Sequence, residues 1–247
     1  CDPEKGRSAL DAVELMNVGM NYLREHVPMD VRIHYVITNG GKAPNIVPDE
    51  AIVWYYDRAL TRKTMEETEA RMRKVAEGAS IMTETELTIE ELGGCYPTLP
   101  NHTLADLIDD CMRVIPQAPW TEEEIEYARE INSTVPDLWK DSVKFSLSDN
   151  PDTQLHTGVM PIDRDADYGS TDVGDVGHIV PTTFYKTACY AIGAPGHSWL
   201  VAACLGRSIG QKGMLYGCRV TALSALRLLT NPELVAKAQS EWKQSMV

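Results

Sequence analysis

Hydrophobic and polar positions alternate along two neighbouring segments near the start of the chain, residues 31–38 and 51–56. Such alternation is typical of β-strands whose two faces meet different surroundings. In the first segment it places His34 on the more polar face, beside Arg32. The connection between the segments is rich in Gly and Pro, which favours a structured loop. The pattern therefore predicts a strand, a loop and a returning strand.

Helical spacing of apolar residues flanks this strand pair. It recurs from residue 10 to about 26, after a serine suited to an N-cap, and again after Thr61 or Thr64, either of which could cap the second helix. Residues 81–90 are Thr-rich and alternate, which predicts a third strand. A ferredoxin-like β-α-β-β-α-β sandwich needs one further strand before the first helix. Because the chain opens without an initiator Met or a signal peptide, we expect that strand to lie before Cys1.

The composition changes where Gly and Pro cluster near residues 93–100, which predicts one domain over residues 1–92 and another over residues 95–247. The second domain mixes helical spacing with short apolar runs. Residues 134–175 are rich in loop-forming side chains. Helices are predicted at 103–115, 121–133, 184–192, 208–229 and 232–244, and short buried strands at 179–181 and 200–204.

Bulk properties exclude several classes of function. A formal net charge of −13 over 247 residues argues against binding to a nucleic-acid backbone. No apolar run approaches the roughly 20 residues that span a bilayer. The six cysteines are scattered singly, as is typical of free thiols in a reducing compartment. We therefore expect a cytoplasmic protein without nucleic-acid or membrane partners.

Two histidine-containing stretches could carry chemistry. The first holds His34 on its strand and Asn45 in the loop that follows; a solvated strand histidine is the simpler interpretation. In the second, Pro-Gly places His197 just before an apolar segment, where a backbone-fixed ring could bind a metal ion. Without further context, a lone histidine at such a place is more often a capping or core residue.

Two glycine-containing stretches leave their roles open. Residues 169–175 form an acidic, glycine-containing loop that could hold a phosphate or a cation, or could be a turn-rich connector. They match no nucleotide-binding template, and their two carboxylates would repel phosphate. Residues 206–213 could bind an anion at a helix N-terminus or simply begin a helix. The sequence contains no H-E-x-x-H or H-x-D metal motif, so no complete metal centre follows from spacing alone.

Several longer motifs follow one another along the chain: GRSALDAVELMN at 6–17, RIHYVITNGGKAPNIVP at 32–48, WYYDR at 54–58, YPTLPN at 96–101, STDVGDV at 170–176, PGHSW at 195–199 and KGMLY at 212–216. Together they resemble the dimetal amidohydrolase and exopeptidase family, which includes aminoacylases, hippurate hydrolases and glutamate carboxypeptidases. Within that family they are most similar to the group of p-aminobenzoyl-glutamate hydrolase B subunits, or aminobenzoyl-glutamate utilization proteins B.

The resemblance implies a fold and a domain plan. Residues 1–92 would form a ferredoxin-like α+β lid that is also the dimerisation domain, with its first strand missing. Residues 95–247 would form the C-terminal part of a three-layer α/β catalytic domain. The family's upstream half, which supplies most metal ligands and a glutamate base, would then be absent from this chain.

The resemblance also implies roles for lid residues. His34 matches a histidine that reaches across the dimer and stabilises the oxyanion of the scissile carbonyl in trans. Asn45 matches a residue near the substrate carboxylate. The lid would join two copies of the chain, or this chain and a related A-type subunit.

In the second domain, His197 matches the C-terminal ligand of a divalent metal, Zn or Mn, in the full-length protein. Thr171, Asp172 and Asp175 match a loop that lines the active site and would bind substrate. His178 stands where the family has a small hydroxyl or apolar residue, which would alter that wall. With one ligand, the chain alone is expected to bind metal weakly or not at all.

The implied function is hydrolysis of N-acyl or aryl amides of amino acids, such as p-aminobenzoyl-glutamate, through a metal-activated water. An amide cleaved at neutral pH needs an activated water, a base and a donor to the oxyanion, and this chain supplies only the last. We therefore expect the chain alone to be inactive. The alternative is a non-catalytic dimerisation and assembly module of the same architecture.

Overall fold

The computed structural model of the chain describes residues 2–146, 148–163 and 169–246. These residues contain helices and one two-stranded sheet, which confirms the predicted α/β class at a coarse level. Among them, no helix is both long and apolar enough to cross a bilayer.

The described residues group into two compact units. The first extends to Pro97 and takes in a short segment that ends at Asp172. The second comprises the stretches that begin at Thr98 and at Val173. In the part of the second unit that the structure describes, the regular elements are all helices, and both strands belong to the first unit.

Two helices and two strands build the first unit: α1 (Ala9–Leu23), β1 (Arg32–Asn39), β2 (Ile52–Arg58) and α2 (Arg62–Thr83), with 3-10 helices at Pro3–Lys5 and Arg24–His26. All four were predicted. Ser8 caps α1 by accepting a hydrogen bond from the Asp11 N–H, and Thr61 caps α2 through the Thr64 N–H.

The strands run antiparallel, with His34 opposite Tyr56 and Val36 opposite Trp54. One face of this sheet packs on α1 and α2, and the buried side chains there are Met20, Leu23, Val31, Ile33 and Met72. On the other face Val36, Trp54 and Tyr56 are exposed. The sheet thus has one covered face and one open face, an arrangement common in antiparallel sheets.

The third strand predicted over residues 81–90 is wrong. Helix α2 continues to Thr83, whose hydroxyl donates to the Ala79 carbonyl at 2.9 Å, and it ends at Glu84 in a left-handed conformation. A strand also needs a neighbouring backbone to satisfy its N–H and C=O groups. Within the described residues, β1 and β2 pair only with each other, and this alternating segment joins neither of them.

The second unit contains α3 (His102–Val114), α4 (Glu122–Ser133), α5 (Pro136–Lys144), α6 (Val173–Gly177), α7 (Trp199–Leu205), α8 (Ser208–Thr230) and α9 (Pro232–Ser245). The predictions of α3, α4, α8 and α9 are confirmed. Helix α8 joins two apolar clusters. Near its start Ile209 packs with residues of α4 and α7, and farther along Tyr216 and Val220 pack with residues of α3.

Both short strands predicted in this unit are wrong. Residues 200–204 lie within α7, because a five-residue apolar run fits a buried helix as well as a buried strand. Ile179 and Val180 instead wrap the end of α6, where both N–H groups donate to the Val176 carbonyl at 3.0 Å.

The helix predicted over residues 184–192 is also wrong. This segment is irregular and lies directly on α8, where the Tyr185 hydroxyl donates to the Gly217 carbonyl at 2.6 Å. A Cβ at Gly213 would clash with the backbone of Ala188, so the glycine permits the close approach. Conversely, α5 was missed inside a loop-rich region, although a proline at its start is a usual helix signal.

Candidate active site

His34 lies in the middle of β1 on the open face of the sheet. Its cross-strand partner is Tyr56, whose ring centroid is 5.3 Å from that of Trp54. All three side chains are exposed. A histidine on a paired strand has a fixed backbone, and its ring can donate or accept hydrogen bonds. This face therefore presents an imidazole beside an aromatic surface.

Residues beneath the sheet hold β1 in place. The Tyr55 hydroxyl donates to the side-chain oxygen of Asn17 on α1, and the Tyr35 ring lies 5.2 Å from that of Tyr55. The Arg24 guanidinium donates to the Ile33 carbonyl at 2.8 Å. Burial raises the pKa of the Tyr55 hydroxyl well above its usual range, so it remains a neutral donor at physiological pH.

Asn45 lies in the exposed loop after β1, within a turn that the Ile46 N–H closes by donating to the Ala43 carbonyl at 3.1 Å. The two ends of the loop are tied by the Asn39 amide, which donates to the Glu50 carboxylate at 3.1 Å. The loop thus belongs to the same unit as the strand histidine and follows it directly in the chain.

The acidic loop is divided between the two units. Thr171 and Asp172 belong to the first unit. The Thr171 hydroxyl donates to the Asp172 carboxylate over a long distance of 3.5 Å. Asp175 belongs to the second unit, on α6. That short helix is anchored by Trp242, whose indole N–H donates to the Gly177 carbonyl at 2.7 Å.

His197 has a left-handed backbone, with a φ of 57°. The other described non-glycine residue with positive φ is Glu84, which ends α2, a common place for that conformation. Holding a histidine there costs on the order of 1–3 kcal/mol, and such strain concentrates at functional sites. The imidazole is exposed, so the strained backbone presents its ring to solvent.

The loop around His197 is clamped at both ends. At its start, the Gly193 N–H donates to the Asn132 side-chain oxygen at 2.9 Å. At its end, the Ser198 hydroxyl donates to the Pro195 carbonyl at 2.7 Å, and α7 begins at the next residue. The loop is therefore a defined structure rather than a simple connector.

The metal implied by the resemblance was tested against the donors that surround His197. An exposed imidazole on a clamped loop suits one metal ligand. Within residues 2–146, 148–163 and 169–246, however, no three His, Cys, Asp or Glu side chains gather in a way that could hold a metal ion. The described residues thus fit a single ligand of such a site and not a complete site.

The two cationic side chains of the possible anion site at residues 206–213 already contact other side chains of the protein. Arg207 stacks 3.9 Å from the centroid of the Tyr127 ring. Lys212 donates to the buried Glu124 carboxylate at 2.5 Å. Burial would raise the pKa of Glu124, but hydrogen bonds from Lys212 and from the Thr121 N–H outweigh it and hold the pKa at about 2. The ordinary helix start is the interpretation that these contacts favour.

The structure thus places His34, Asn45, Thr171 and Asp172 in one unit, and Asp175 and His197 in the other. The sequence reasoning did not single out Asn132, which proves to be buried beneath the His197 loop. The sequence feature that indicates its burial is its spacing, because it follows Ala128 by four residues on the apolar face of α4.

No family model matches the sequence. The chain is 34% identical over 260 residues to the B subunit of the p-aminobenzoyl-glutamate hydrolase of Escherichia coli (strain K12), an alignment that covers 98% of the chain and 53% of that protein. It is also similar to the Xaa-Arg dipeptidases of Mus musculus (26%) and Homo sapiens (24%), each over 98% of the chain and 47% of the relative.

The chain spans about half the length of these curated relatives. All of them are named as hydrolases of amide or peptide bonds, as the sequence motifs predicted. The comparisons thus confirm the predicted resemblance to the amidohydrolase and peptidase family that these proteins represent.

Proposed function

We propose that the chain is part of a metal-dependent amidohydrolase that cleaves N-acyl or aryl amides of amino acids. The observation that carries this proposal is the similarity, over 98% of the chain, to the B subunit of a p-aminobenzoyl-glutamate hydrolase. That similarity is higher than the similarity to the Xaa-Arg dipeptidases, 34% against 26%. An amide of glutamate such as p-aminobenzoyl-glutamate is therefore the favoured substrate class.

The proposed architecture has two parts. Residues 1–92 are a ferredoxin-like lid, and the packing of α1 and α2 on one face of the β1–β2 pair supports this assignment. Residues 95–247 are the C-terminal part of a three-layer catalytic domain. In the described part of the chain, β1 and β2 pair only with each other. In the proposed arrangement a further strand pairs with one edge of this sheet and satisfies the N–H and C=O groups there.

His197 is the proposed ligand that this chain contributes to a divalent metal, Zn or Mn. When bound, the metal lowers the pKa of a water molecule towards neutrality. The role of the chain is to hold the imidazole, and the clamped, left-handed backbone of His197 supports that role. Thr171, Asp172 and Asp175 are the proposed wall against which the substrate lies.

His34 is the proposed donor to the developing oxyanion, acting in trans on the active site of a partner subunit. Its exposed ring on the open sheet face supports a target outside its own unit. Asn45, exposed in the following loop, is the proposed contact to the substrate carboxylate. The partner is a second copy of the chain or a related A-type subunit, and the bacterial relative, itself named as one subunit of a hydrolase, suits either assembly.

The test is the substitution His34→Ala in the full-length protein, assayed with p-aminobenzoyl-glutamate. Loss of an oxyanion donor lowers kcat by about 10²–10³, and KM should change much less. Val36→Ala is a matched control, since Val36 lies on the same exposed face two residues away. A fall in kcat of less than about tenfold, or an equal fall in the control, would show that His34 is not the donor.

A further inference from the structure

A buried pair of amide side chains lies beside the second unit's candidate site. Asn132 on α4 is 1% exposed and Gln154 is 3% exposed. The Asn132 amide donates to the Gln154 backbone carbonyl at 3.1 Å and to its side-chain oxygen at 2.8 Å. The Gln154 amide donates in turn to the Asp152 carbonyl at 3.0 Å. Such a satisfied buried network specifies one arrangement of the groups that it joins.

This pair accepts hydrogen bonds from the backbone at the start of the His197 loop. Asn132 accepts the Gly193 N–H at 2.9 Å, and the Gln154 carbonyl accepts the Ile192 N–H at 3.0 Å. A Cβ at Gly193 would lie 2.7 Å from Trp139, so the backbone is pressed against α5 at this point. Two successive backbone N–H groups of the loop are thus fixed by one buried amide pair.

The far end of the loop is fixed independently. α7 begins directly after Ser198, and its buried side chains Leu200 and Cys204 belong to the apolar core of the unit. His197 lies between these two anchors in its left-handed conformation. A strained backbone persists only where the surroundings determine it strongly, so loss of one anchor should release the histidine.

We propose that Asn132 and Gln154 are positioning residues that hold His197 in the conformation required of a metal ligand. They touch neither metal nor substrate and act through the backbone of residues 192 and 193. The proposal rests on the proposed function, because it takes His197 to be a ligand. It adds that the buried amide pair fixes the conformation of His197 before a metal ion binds.

The test is Asn132→Ala in the full-length protein, with the affinity for Zn²⁺ and Mn²⁺ measured by competition with a chelator. We expect the affinity to fall about tenfold or more, the range found when residues that orient a metal ligand are removed. In the wild-type protein, amide hydrogen exchange should be slow at residues 192 and 193 and should become faster there in the variant.

Asn101 provides a matched control. It is 4% exposed, accepts the Leu104 N–H at 3.0 Å and donates to the Ala238 carbonyl at 2.9 Å, within the same unit. Asn101→Ala should destabilise the protein to a similar degree and leave metal affinity unchanged. If Asn132→Ala does not fold, Gln154→Met keeps Asn132 in place. It removes the side-chain oxygen that accepts from Asn132 and the amide that donates to Asp152, and should still weaken metal binding.

His197→Ala distinguishes the ligand role of His197 from the positioning role of Asn132 and Gln154. If it leaves metal affinity unchanged, the ligand role fails, and this inference fails with it. If it abolishes binding while neither Asn132→Ala nor Gln154→Met weakens binding more than Asn101→Ala does, the ligand role stands and the positioning role alone is overturned.

Discussion

Asp57 shows how one side chain of β2 can set the pH dependence of the first unit. The residue is half-buried, and its Oδ2 atom is buried without a hydrogen-bond partner in the described part of the chain. Burial raises the pKa of this carboxyl, its own backbone N–H opposes the rise, and the nearby charge of Glu69 adds to it. The protonated form is therefore favoured by folding.

We expect Asp57→Asn to stabilise the protein at neutral pH. The folded pKa lies above the unfolded value of 3.8, so the stabilising contribution of the proton is complete below pH 3.8 and is lost as the pH rises through the folded pKa. An amide does not ionise and avoids that loss. The gain should be about 1 kcal/mol, since the group is only half-buried, and should vanish in acid.

Urea unfolding at neutral and acidic pH measures this difference. Asp49→Asn, in the exposed loop, should change the free energy of unfolding little at either pH. A lower stability of Asp57→Asn than of the wild-type protein at neutral pH would show that the carboxylate has a stabilising partner.

At the scale of single residues, the sequence indicated the candidate functional side chains better than it indicated the residues and backbone conformations that hold them in place. His197 was found because Pro-Gly precedes a histidine, a local signal. Its left-handed backbone was not predicted, because positive φ is uncommon in every non-glycine residue, even though histidine is one of the types enriched there. Asn132 was missed for a different reason: an asparagine on a helix is usually solvated, and its burial depends on Gln154, which is 22 residues away in the chain.

The long helix and the two paired strands were predictable, whereas a very short apolar run and an alternating segment without a strand partner were not. Helix α8, with 23 residues, and the strand pair were predicted with nearly correct bounds. Residues 200–204 were too few to separate a strand from a helix. The segment 84–90 alternates as a strand should, but ladder formation depends on a neighbouring strand that local sequence cannot supply.

An ion pair joins α4 and α8 in addition to the apolar packing of Ile209. Lys212 donates to Glu124 at 2.5 Å and to the Pro119 carbonyl at 2.8 Å, and it lies 5.6 Å from the centroid of the Trp120 ring. The Glu124 side chain is 5% exposed, and that of Lys212 is 24% exposed. Removing one partner of a largely buried pair leaves the other charge without compensation.

We expect Lys212→Met to lower the free energy of unfolding by about 2 kcal/mol at neutral pH, below the full buried-pair range because Lys212 is partly exposed. The pKa of Glu124 is depressed from 4.5 to about 2 in the folded protein, so its contribution is present above pH 4.5 and is lost as the pH falls through 2. The cost of the substitution should therefore shrink in acid.

Denaturant unfolding at neutral and acidic pH tests this expectation. Lys144→Met is the control, because Lys144 pairs with Asp141 at 2.6 Å while both side chains are mostly exposed. That substitution should cost less than about 1 kcal/mol. Equal effects of the two substitutions would mean that the link between α4 and α8 contributes no more than a surface pair.

For the whole molecule, the two units carry complementary halves of the proposed chemistry. The first presents His34 and the second presents His197. The proposed action in trans requires that His34 of one subunit serve the site that contains His197 of another. In a symmetric dimer, each of the two active sites would then be built from both subunits.

Complementation between two inactive variants tests this arrangement. Full-length His34→Ala and His197→Ala should each have little activity, and mixing them under subunit exchange should restore roughly a quarter of wild-type activity. Half of the randomly formed dimers are then mixed, and each contains one intact site of two. If His34 instead served its own subunit, every site would lack one histidine and mixing would restore nothing. Each variant subjected alone to the same exchange provides the baseline, and size measurements with differently tagged copies confirm that mixed dimers form.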